Sequence, residues 1–361
     1  RRVLFRSKGV LWRQHDIFMS AMGGRTVGTW DELGSYDELR AKVAASGGGA
    51  IMILPPLMHG AAQWGAFAAS TGGMTLVFPG RVEGMDPVDV LRTIERRQVS
   101  VLMAVGDAVA RPLVDELEGG DYDISSLFAL ANGGAALTAA IKERFIEQQP
   151  GLLIIDGVGS SETGAQMSHI STKGAVDTGT FSPNAQTAVV KADLSGLETE
   201  GHADPGWLAQ RGLVPLGYKG DADKTARTFP VIDGTRYAIP GDRAELLTGG
   251  DIKLLGRDAV TINTGGEKVF AEEVEMAIAS HPAIKDVIVT GRTSDRWGQE
   301  VVAIVALTEP GAATADELVD HASQTLARYK LPREVLFRGE IQRSPSGKAD
   351  YRWAKAQVEP G

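Results

Sequence analysis

The chain has 361 residues, 43% of them hydrophobic and 23% charged, which is long enough for two or three domains of about 100–200 residues and excludes a disordered or fibrous protein. Its net charge of -9 offers no basic surface for nucleic acid or for an anionic membrane. The absence of cysteine excludes disulfides, thiolate metal sites and a cysteine nucleophile, and it favours a reducing cytoplasm.

Neither a membrane span nor a signal peptide is predicted. No apolar run reaches the ~20 residues that cross a bilayer, so a soluble protein without a transmembrane segment is expected. Residues 1–7 carry three arginines but lack the apolar core of a signal peptide. We interpret these seven residues as non-native read-through and exclude them from the domain assignment.

The first part of the chain alternates apolar runs with helical patterns. The runs are typical of buried parallel strands, and the patterns between them are typical of crossover helices. One helix is predicted to begin after Asp86 with Pro87 in its first turn, and another after Thr138. The predicted strands cover residues 50–54, 74–78, 99–105 and 152–156. The predicted buried faces contain Val88, Leu91 and Ile94, then Ile141 and Phe145.

The composition changes near residue 178. Residues 178–247 are rich in Gly, Pro, Asp and Thr and show no helical pattern, so we predict a small β subdomain over about 178–250. After Arg257 the α/β pattern returns, with a capping box formed by Thr314 and Glu317. Further predicted elements are a helix at 271–280, strands at 286–290 and 300–307, and a stripe of Leu318, Ala322, Leu326 and Tyr329. The predicted domains are therefore 8–257 and a small α+β domain at 258–361.

Two motifs suggest chemistry. GVGSSETG at residues 157–164 follows the strand ending at Asp156, where open α/β sheets bind ligands, and it offers hydroxyls for phosphate and a carboxylate for Mg²⁺. SPSGK at residues 344–348 places Lys348 on a tight turn, and a cation there suits a phosphate. Each motif also has a purely structural interpretation, as a glycine-rich capped turn or a solvated surface lysine.

The order and spacing of these motifs resemble the adenylate-forming superfamily of acyl-CoA synthetases, luciferases and peptide-synthetase adenylation domains. The chain is most similar to bacterial fatty-acyl-CoA ligases from about Lys8 to Lys348. Further motifs carry the resemblance: PPLMHG at 55–60, NGGA at 132–135, YAIPGD at 237–242, NTGGEK at 263–268 and LARYKLP at 326–332. The resemblance implies a large layered α/β domain with a β subdomain, followed by a small mobile carboxy-terminal domain.

The resemblance also implies roles for individual residues. Lys348 and Glu162 correspond to the catalytic residues, and Glu162 to the Mg²⁺ ligand. The implied nucleotide-binding residues are Gly133, Gly134, Ala135, Asp156, Gly157, Val158, Ser161, Asp242 and Arg257. The implied acyl-substrate residues are His59, Trp64 and Gly133, and those of the coenzyme A channel are Gly265, Gly266 and Lys268.

The implied reaction uses ATP, Mg²⁺, coenzyme A and a small carboxylic acid. The substrate carboxylate attacks the α-phosphorus of ATP and expels pyrophosphate, and the thiol of coenzyme A then displaces AMP from the acyl-adenylate. A carboxylate needs no general base, so the site must supply positioning and charge neutralisation. Between the two steps, the small domain is expected to rotate, withdrawing Lys348 and bringing in the Gly265–Gly266 loop.

Three departures from the family pattern carry expectations of their own. Val158 stands where many relatives stack an aromatic residue on adenine, and Ala259 stands at the usual acidic hinge position beside Asp258. The phosphate loop is represented only by Lys8 and Gly9. From this we expect the 361-residue chain to bind ATP poorly and to show little adenylation activity.

Small residues over 60–73 suggest a roomy acyl pocket, and the Trp12-Arg13-Gln14 opening resembles actinobacterial ligases for steroid side-chain acids. Two other functions stay open at the sequence level: an adenylating enzyme that delivers acyl groups to a carrier protein, and a nucleotide-binding module without catalysis. A Rossmann dehydrogenase is disfavoured because no Gly-x-Gly-x-x-Gly follows the first strand.

Overall fold

The computed structural model describes residues 9–25, 31–81, 84–202, 204–344 and 347–359. Its helices are α1 (Gln14–Ala21), α2 (Tyr36–Ala45), α3 (Gly60–Thr71), α4 (Pro87–Arg97), α5 (Gly106–Gly119), α6 (Ala139–Gln148), α7 (Ala222–Thr228), α8 (Ala271–Ala279), α9 (Ala315–Ser323) and α10 (Tyr351–Val358). The segment interpreted as read-through and Lys8 lie outside these ranges, as do Pro345 and Ser346 of the lysine motif. Within these ranges, no helix is both long and apolar enough to span a bilayer.

The strands form two principal sheets. In chain order they are β1 (Val10–Leu11), β2 (Ala50–Ile53), β3 (Thr75–Val77), β4 (Val101–Ala104), β5 (Ala129–Gly133), β6 (Leu153–Ser160), β7 (Gly164–Ser171), β8 (Thr180–Pro183), β9 (Thr187–Val190), β10 (Gly206–Gln210), β11 (Gly217–Tyr218), β12 (Val231–Ile232), β13 (Thr235–Arg236), β14 (Asp242–Leu246), β15 (Ile252–Arg257), β16 (Ile262–Thr264), β17 (Glu267–Val269), β18 (Ile284–Ser294), β19 (Gly298–Leu307) and β20 (Glu334–Phe337). The larger sheet has the order β3-β2-β4-β5-β6-β7-β8-β15-β14-β10-β9.

The first five strands of this order run parallel, which confirms the layered α/β prediction. Strand β2 shows why the sheet is covered on both faces. Ala50 and Met52 pack into the core beneath α4, α5 and α6, whereas Ile51 and Ile53 pack against α3 on the opposite face. A parallel strand buried on both faces is a continuous apolar run, and that is the pattern the sequence shows here.

The glycine-rich motif is part of a strand, which corrects the predicted strand end at Asp156. Strand β6 continues to Ser160 because it pairs antiparallel with β7 beyond the parallel region. Gly159 permits this pairing, since a Cβ there would lie 2.3 Å from the carbonyl oxygen of Gly164. Residues 157–160 of the motif therefore lie in a strand inside the sheet, and residues 161–163 form the turn to β7.

The Gly- and Pro-rich segment is mainly antiparallel, with β9, β10, β14, β15 and β8 side by side. Helix α7 within it contradicts the expectation that this segment has no helix. The helix escapes periodicity analysis because it has only seven residues and no apolar stripe. Asp221 caps it by accepting the backbone N–H of Lys224 over 2.9 Å.

The carboxy-terminal part folds on its own sheet, in which β17, β16, β19 and β18 are successive neighbours and β20 pairs parallel with β19. The capping box of Thr314 and Glu317 is confirmed at the start of α9. Leu318, Ala322 and Leu326 are buried, but Tyr329 is 41% exposed. The predicted stripe was too long because α9 ends at Ser323 and Tyr329 lies in a separate 3-10 turn.

Two details of the large domain's helices differ from prediction. Asp86 caps α4 as predicted, but Val88 is 46% exposed because it lies in the first turn, beside the face formed by Val90, Leu91 and Ile94. At the start of α6, Thr138 does not cap with its side chain. Its hydroxyl instead donates to Oδ2 of Asp107 over 2.8 Å, linking α6 to α5.

Candidate active site

A cavity of about 210 Å³ lies at the carboxyl ends of β5 and β6. Strands β14 and β15 close one side of it, and the turn carrying Lys348 reaches it from the carboxy-terminal domain. Eight predicted site residues line this cavity: Gly134, Ala135, Asp156, Gly157, Val158, Asp242, Arg257 and Lys348. We call it the nucleotide cavity, since these are the residues expected to bind the nucleotide.

A second cavity, of about 380 Å³, shares the β5 and β6 edge and also reaches Lys348. We call it the acyl cavity. Four more predicted residues line it: His59, Trp64, Gly133 and Ser161. The apolar side chains of Met103, Val105 and Met167 line it as well. Lys348 is common to both cavities, so one side chain can serve both ligands.

Lys348 lies against the end of β5. Its Cε lies 3.8 Å from the position that a Cβ on Gly134 would take. Burial lowers the pKa of Lys348, as does the nearby Arg257, while the carboxylates of Glu162 and Asp242 oppose that shift. The Lys348 ammonium therefore interacts electrostatically with both acidic residues that are predicted to surround the nucleotide.

The turn that carries Lys348 is held by hydrogen bonds. The backbone N–H of Ser344 donates to the Lys348 carbonyl oxygen over 2.9 Å, and Gly347 has a φ of 76°, a conformation that favours glycine. Arg343 donates from Nη1 to the carbonyl oxygen of Gly347 and pairs with the carboxylate of Asp286 on β18. Sequence reasoning overlooked this brace because Arg343 and Asp286 are 57 residues apart.

Asp242 and Arg257 face each other across β14 and β15. They are register partners, and Arg257 Nε lies 3.5 Å from Asp242 Oδ1. Burial raises the pKa of Asp242, although Arg257 partly opposes this by favouring the charged carboxylate. A carboxylate with free lone pairs at a strand end can accept hydrogen bonds from two neighbouring hydroxyls.

Glu162 is held by a tyrosine that the sequence did not reveal. The hydroxyl of Tyr218 donates to Oε1 of Glu162 over 2.5 Å. The ammonium of Lys224 lies 4.0 Å from the centre of the Tyr218 ring. Burial raises the pKa of Tyr218, and the Glu162 carboxylate raises it further, so the phenol keeps its proton and remains a donor. No local motif gives this pairing, because 56 residues separate the two positions.

Glu162 provides a single carboxylate rather than a closed metal site. Within the ranges that the structure describes, no group of three His, Cys, Asp or Glu side chains could hold a metal ion. Mg²⁺ usually takes one or two carboxylates and completes its shell with water and substrate phosphates. Glu162 fits that mode, because Tyr218 occupies only one of its two oxygens.

Four predicted residues do not line either cavity: Glu162, Gly265, Gly266 and Lys268. Gly265, Gly266 and Lys268 belong to the hairpin of β16 and β17, and none of them lines the nucleotide cavity or the acyl cavity. A Cβ on Gly265 would lie 3.0 Å from the ring of Trp297. In this arrangement Lys348, not the hairpin, points at the ligand cavities.

The two departures at Val158 and Ala259 have visible structural settings. Val158 packs beside the buried side chains of Met167 and Phe181 while it lines the nucleotide cavity. Ala259 lies in the 3-10 turn Asp258–Val260 that follows β15. Asp258, next to it, places Oδ1 3.2 Å from Nε of Arg243.

This combination of fold and site defines a class of nucleotide-binding enzymes in which a small carboxy-terminal domain brings a lysine to the edge of a layered α/β sheet. A family model for AMP-binding enzymes matches residues 6–213, and one for the AMP-binding enzyme C-terminal domain matches residues 273–348. The chain belongs to the AMP-binding enzyme family.

Comparison with individual proteins agrees with this family. The chain is 61% identical over 354 residues to the medium-chain acyl-CoA ligase Mig of Mycobacterium avium, covering 98% of this chain and 64% of Mig. It is 40% identical to the 3-oxocholest-4-en-26-oate–CoA ligase of Rhodococcus rhodochrous, covering 97% of this chain and 64% of that ligase. The chain thus spans about 64% of the length of these curated relatives.

Among solved structures, the ATP-bound MatB from Rhodopseudomonas palustris superposes with a TM-score of 0.77. The match covers 97% of this chain and 65% of MatB, at 19% sequence identity. At that identity the likeness shows a shared fold, which extends over both parts of the chain.

Proposed function

We propose that the chain carries the acyl-adenylate site of an ATP-dependent acyl-CoA ligase, which joins a carboxylic acid to coenzyme A with release of AMP and pyrophosphate. The observation that carries the proposal is the position of Lys348, which lines both the nucleotide cavity and the acyl cavity. The similarity of the chain to proteins named as acyl-CoA ligases supports the same reaction. A cytoplasmic location is part of the proposal and rests on the cysteine-free composition.

In this proposal the nucleotide lies between β6 and β14. The base lies along Gly133, Gly134 and Ala135, then Asp156 to Val158, and the ribose hydroxyls donate to Asp242. Arg257 keeps that carboxylate oriented, because its guanidinium is 3.5 Å away across the strand pair. Ser161 offers a hydroxyl to the phosphates.

Lys348 supplies charge where the reaction creates it. As the substrate carboxylate approaches the α-phosphorus, negative charge grows on the phosphoryl oxygens, and a fixed cation in a water-poor cavity stabilises that charge strongly. The carboxylate is already a nucleophile, so the site needs no general base. Lys348 and Glu162 are the residues that we propose to act directly on the reacting groups.

Glu162 would hold Mg²⁺ together with the phosphates of ATP. When bound, the ion neutralises phosphate charge and fixes the orientation of the leaving group. Tyr218 keeps Glu162 in place by donating to Oε1, which leaves Oε2 for the metal. The residues present therefore suit a metal that is shared with the substrate.

The acyl group would enter the second cavity, past His59 and Trp64. Burial lowers the pKa of His59, and the nearby Lys348 lowers it further, so the imidazole is neutral at pH 7 and suits an uncharged neighbour. Relatives with medium-chain and steroid acids in their names make large apolar acids the first substrates to test.

The proposed domains are residues 8–257 and 258–361, with the turn at Ala259 as the pivot between the two half-reactions. Rotation would withdraw Lys348 and bring Gly265, Gly266 and Lys268 to the channel for coenzyme A. The hairpin that carries these three residues lies away from the ligand cavities. This position is consistent with a role in thioester formation after the rotation, and not in adenylation.

The test is carboxylate-dependent exchange of pyrophosphate into ATP, screened with fatty, aromatic and steroid acids. It uses a protein that carries this chain within the full length of its relatives, because the 361-residue chain is expected to bind ATP poorly. Lys348→Ala should abolish exchange while sparing the conversion of a supplied acyl-adenylate to the thioester. Lys355→Ala is the matched control, because Lys355 is 54% exposed on α10. Equal and measurable exchange rates in that protein and in its Lys348→Ala variant would contradict the proposal.

The companion measurement is the binding of AMP to the unaltered chain, detected as a rise in its melting temperature. A chain that binds no AMP would also contradict the proposal. AMP binding without exchange under any condition would favour a nucleotide-binding module without catalysis. Exchange together with acyl transfer to a carrier protein, and not to coenzyme A, would favour the carrier-protein alternative.

A further inference from the structure

Lys142 on α6 is a buried cation that the proposed reaction does not use. Its side chain has no exposed surface, which is unusual for a lysine. Burying an ammonium is unfavourable unless other acceptors replace the water molecules that it loses. The residues around Lys142 must therefore supply hydrogen-bond acceptors and a negative charge for its ammonium group.

Three acceptors surround the Lys142 ammonium. Nζ lies 2.5 Å from Oδ2 of Asp156 on β6, and it donates to the carbonyl oxygen of Asp177 over 2.5 Å. It also donates to the hydroxyl of Thr178 over 3.3 Å. The carbonyl oxygen and the hydroxyl accept two of the three ammonium protons, and the Asp156 carboxylate balances the charge as an ion-pair partner.

The other carboxylate oxygen of Asp156 is held by Asn132 at the end of β5. Asn132 donates from Nδ2 to Asp156 Oδ1 over 2.7 Å and accepts the backbone N–H of Gly106 at Oδ1 over 2.7 Å. Asp156 is thus fixed from two sides, by α6 and by β5. Its orientation is set before any ligand arrives.

Asp156 nevertheless faces the nucleotide cavity, which it lines although it is only 7% exposed. An ionised carboxylate has about four lone-pair directions and no proton to donate. Asn132 uses one of these directions, and Lys142 lies beside Oδ2 as an ion-pair partner. The lone pairs of Asp156 that remain free can accept a hydrogen bond from an amino group of a ligand. The same lone pairs repel a carbonyl oxygen.

We propose that Lys142 is a positioning residue for base recognition: it holds Asp156 as an oriented acceptor that selects a purine with an amino group at C6 over one with an oxygen there. This inference rests on the proposed nucleotide site. Its consequence is a preference for AMP over IMP that depends on a lysine outside the cavity lining.

A merely structural role makes a different prediction. If Lys142 only stabilises the packing of α6 on β6, its replacement lowers the melting temperature and weakens all purine nucleotides equally. If Lys142 holds Asp156 in its orientation, its removal takes away the ion-pair partner on α6 that fixes this carboxylate, which can then turn away from the cavity. The contact with a 6-amino group is then lost, and the preference for AMP over IMP is lost with it.

The experiment measures binding of AMP and IMP to the unaltered chain, to Lys142→Met and to the double variant Lys142→Met, Asp156→Asn. Methionine keeps the length of the side chain without its charge, and the double variant removes both charges, so it should fold at least as well as the single variant. The exposed Lys173 gives the matched control Lys173→Met.

The unaltered chain and Lys173→Met should bind AMP at least about tenfold more tightly than IMP, the size expected for one charge-assisted hydrogen bond. Both variants at Lys142 should bring the two affinities to within about threefold, since the single variant loses the oriented carboxylate and the amide of the double variant can donate as well as accept. Purine riboside 5′-monophosphate, which lacks any group at C6, should bind all four proteins with similar affinity.

A tenfold preference for AMP that survives in Lys142→Met, or in the double variant if the single one does not fold, would overturn the inference and leave the proposed function intact. The same holds if the unaltered chain binds AMP and IMP equally. An unaltered chain that binds neither nucleotide would overturn the proposed function as well, so the two failures are distinguishable.

Discussion

Arg343 donates a hydrogen bond from Nη1 to the carbonyl oxygen of Gly347 over 3.2 Å, one residue before Lys348. The same guanidinium forms a bidentate pair with Asp286, with Nε 2.8 Å from Oδ2 and Nη2 2.5 Å from Oδ1. Arg343 therefore ties the lysine turn to β18. A planar guanidinium can make these contacts together, whereas a lysine ammonium could not match the same geometry.

Replacing Arg343 by Gln should slow adenylation without removing the catalytic amine. The Lys348 turn loses its anchor on β18, and a misplacement of about 1 Å can cost on the order of 100-fold in rate. We expect kcat for pyrophosphate exchange to fall about 10- to 100-fold while the KM for ATP changes less than about threefold. Thioester formation from a supplied acyl-adenylate should change little.

The matched control is Arg338→Gln, an exposed arginine whose Nε donates to Gln357 over 3.1 Å. It should exchange like the unaltered protein. Equal losses in both half-reactions for Arg343→Gln would mean that the brace supports the whole carboxy-terminal domain rather than the lysine turn.

Tyr218→Phe tests how Glu162 is held. The variant keeps the ring that packs near Phe229 and Lys224 but removes the hydroxyl that donates to Glu162. Loss of such an outer partner typically weakens a metal by about 10- to 100-fold. The Mg²⁺ concentration that gives half-maximal exchange should rise by that factor.

For comparison, Tyr36→Phe alters a tyrosine that is 84% exposed, and its Mg²⁺ titration should match that of the unaltered protein. A Tyr218→Phe variant with an unchanged titration curve would show that Glu162 holds its orientation without the phenol.

The alkaline limb of the pH–rate profile should report Lys348. Burial and the nearby Arg257 lower the pKa of this lysine from its usual 10.5. Only the protonated amine neutralises phosphoryl charge, so the rate should fall as the pH rises through the lowered pKa. Lys348→Arg should be slower, but its rate should stay flat over the same range, because a guanidinium does not titrate there. Parallel alkaline limbs in the two proteins would assign the titration to another group.

Glu275 should make the stability of the carboxy-terminal domain depend on pH. Burial raises the pKa of Glu275 to about 8, with Glu272 adding to the shift and Val289, Arg343 and Tyr351 opposing it. A carboxyl with a folded-state pKa above its unfolded value favours folding at low pH. That contribution is complete below about 4.5 and is lost as the pH rises to about 8.

Glu275→Gln removes the titrating proton and keeps the size of the side chain. Its stability should stay level between pH 5 and pH 8, where the unaltered protein loses on the order of a few kcal/mol. Urea unfolding at several pH values measures this difference. Glu309→Gln, at an exposed position, should follow the unaltered protein. Identical slopes for Glu275→Gln and the unaltered protein would exclude Glu275 as the source.

Local chemistry was enough to predict the elements whose signals lie within a few residues. Asp86 caps α4, Thr314 and Glu317 form the capping box of α9, and buried apolar runs become the parallel strands. These features depend on neighbouring residues along the chain, so the sequence contains the whole cause. The glycine motif at 157–164 could be located in the same way, but its conformation could not, because pairing with β7 extends β6 through it.

Only the tertiary structure decided which side chains meet. Tyr218 reaches Glu162 across 56 residues, Arg343 reaches Asp286 across 57, and Lys142 reaches Asp177 across 35. Each pair forms because separate strands and helices pack together, and the residues involved look like ordinary surface positions in isolation. The sequence by itself determined the parallel core, the capped helices and the motif order. Long-range packing determined burial and the partners that orient Lys142, Asp156 and Lys348.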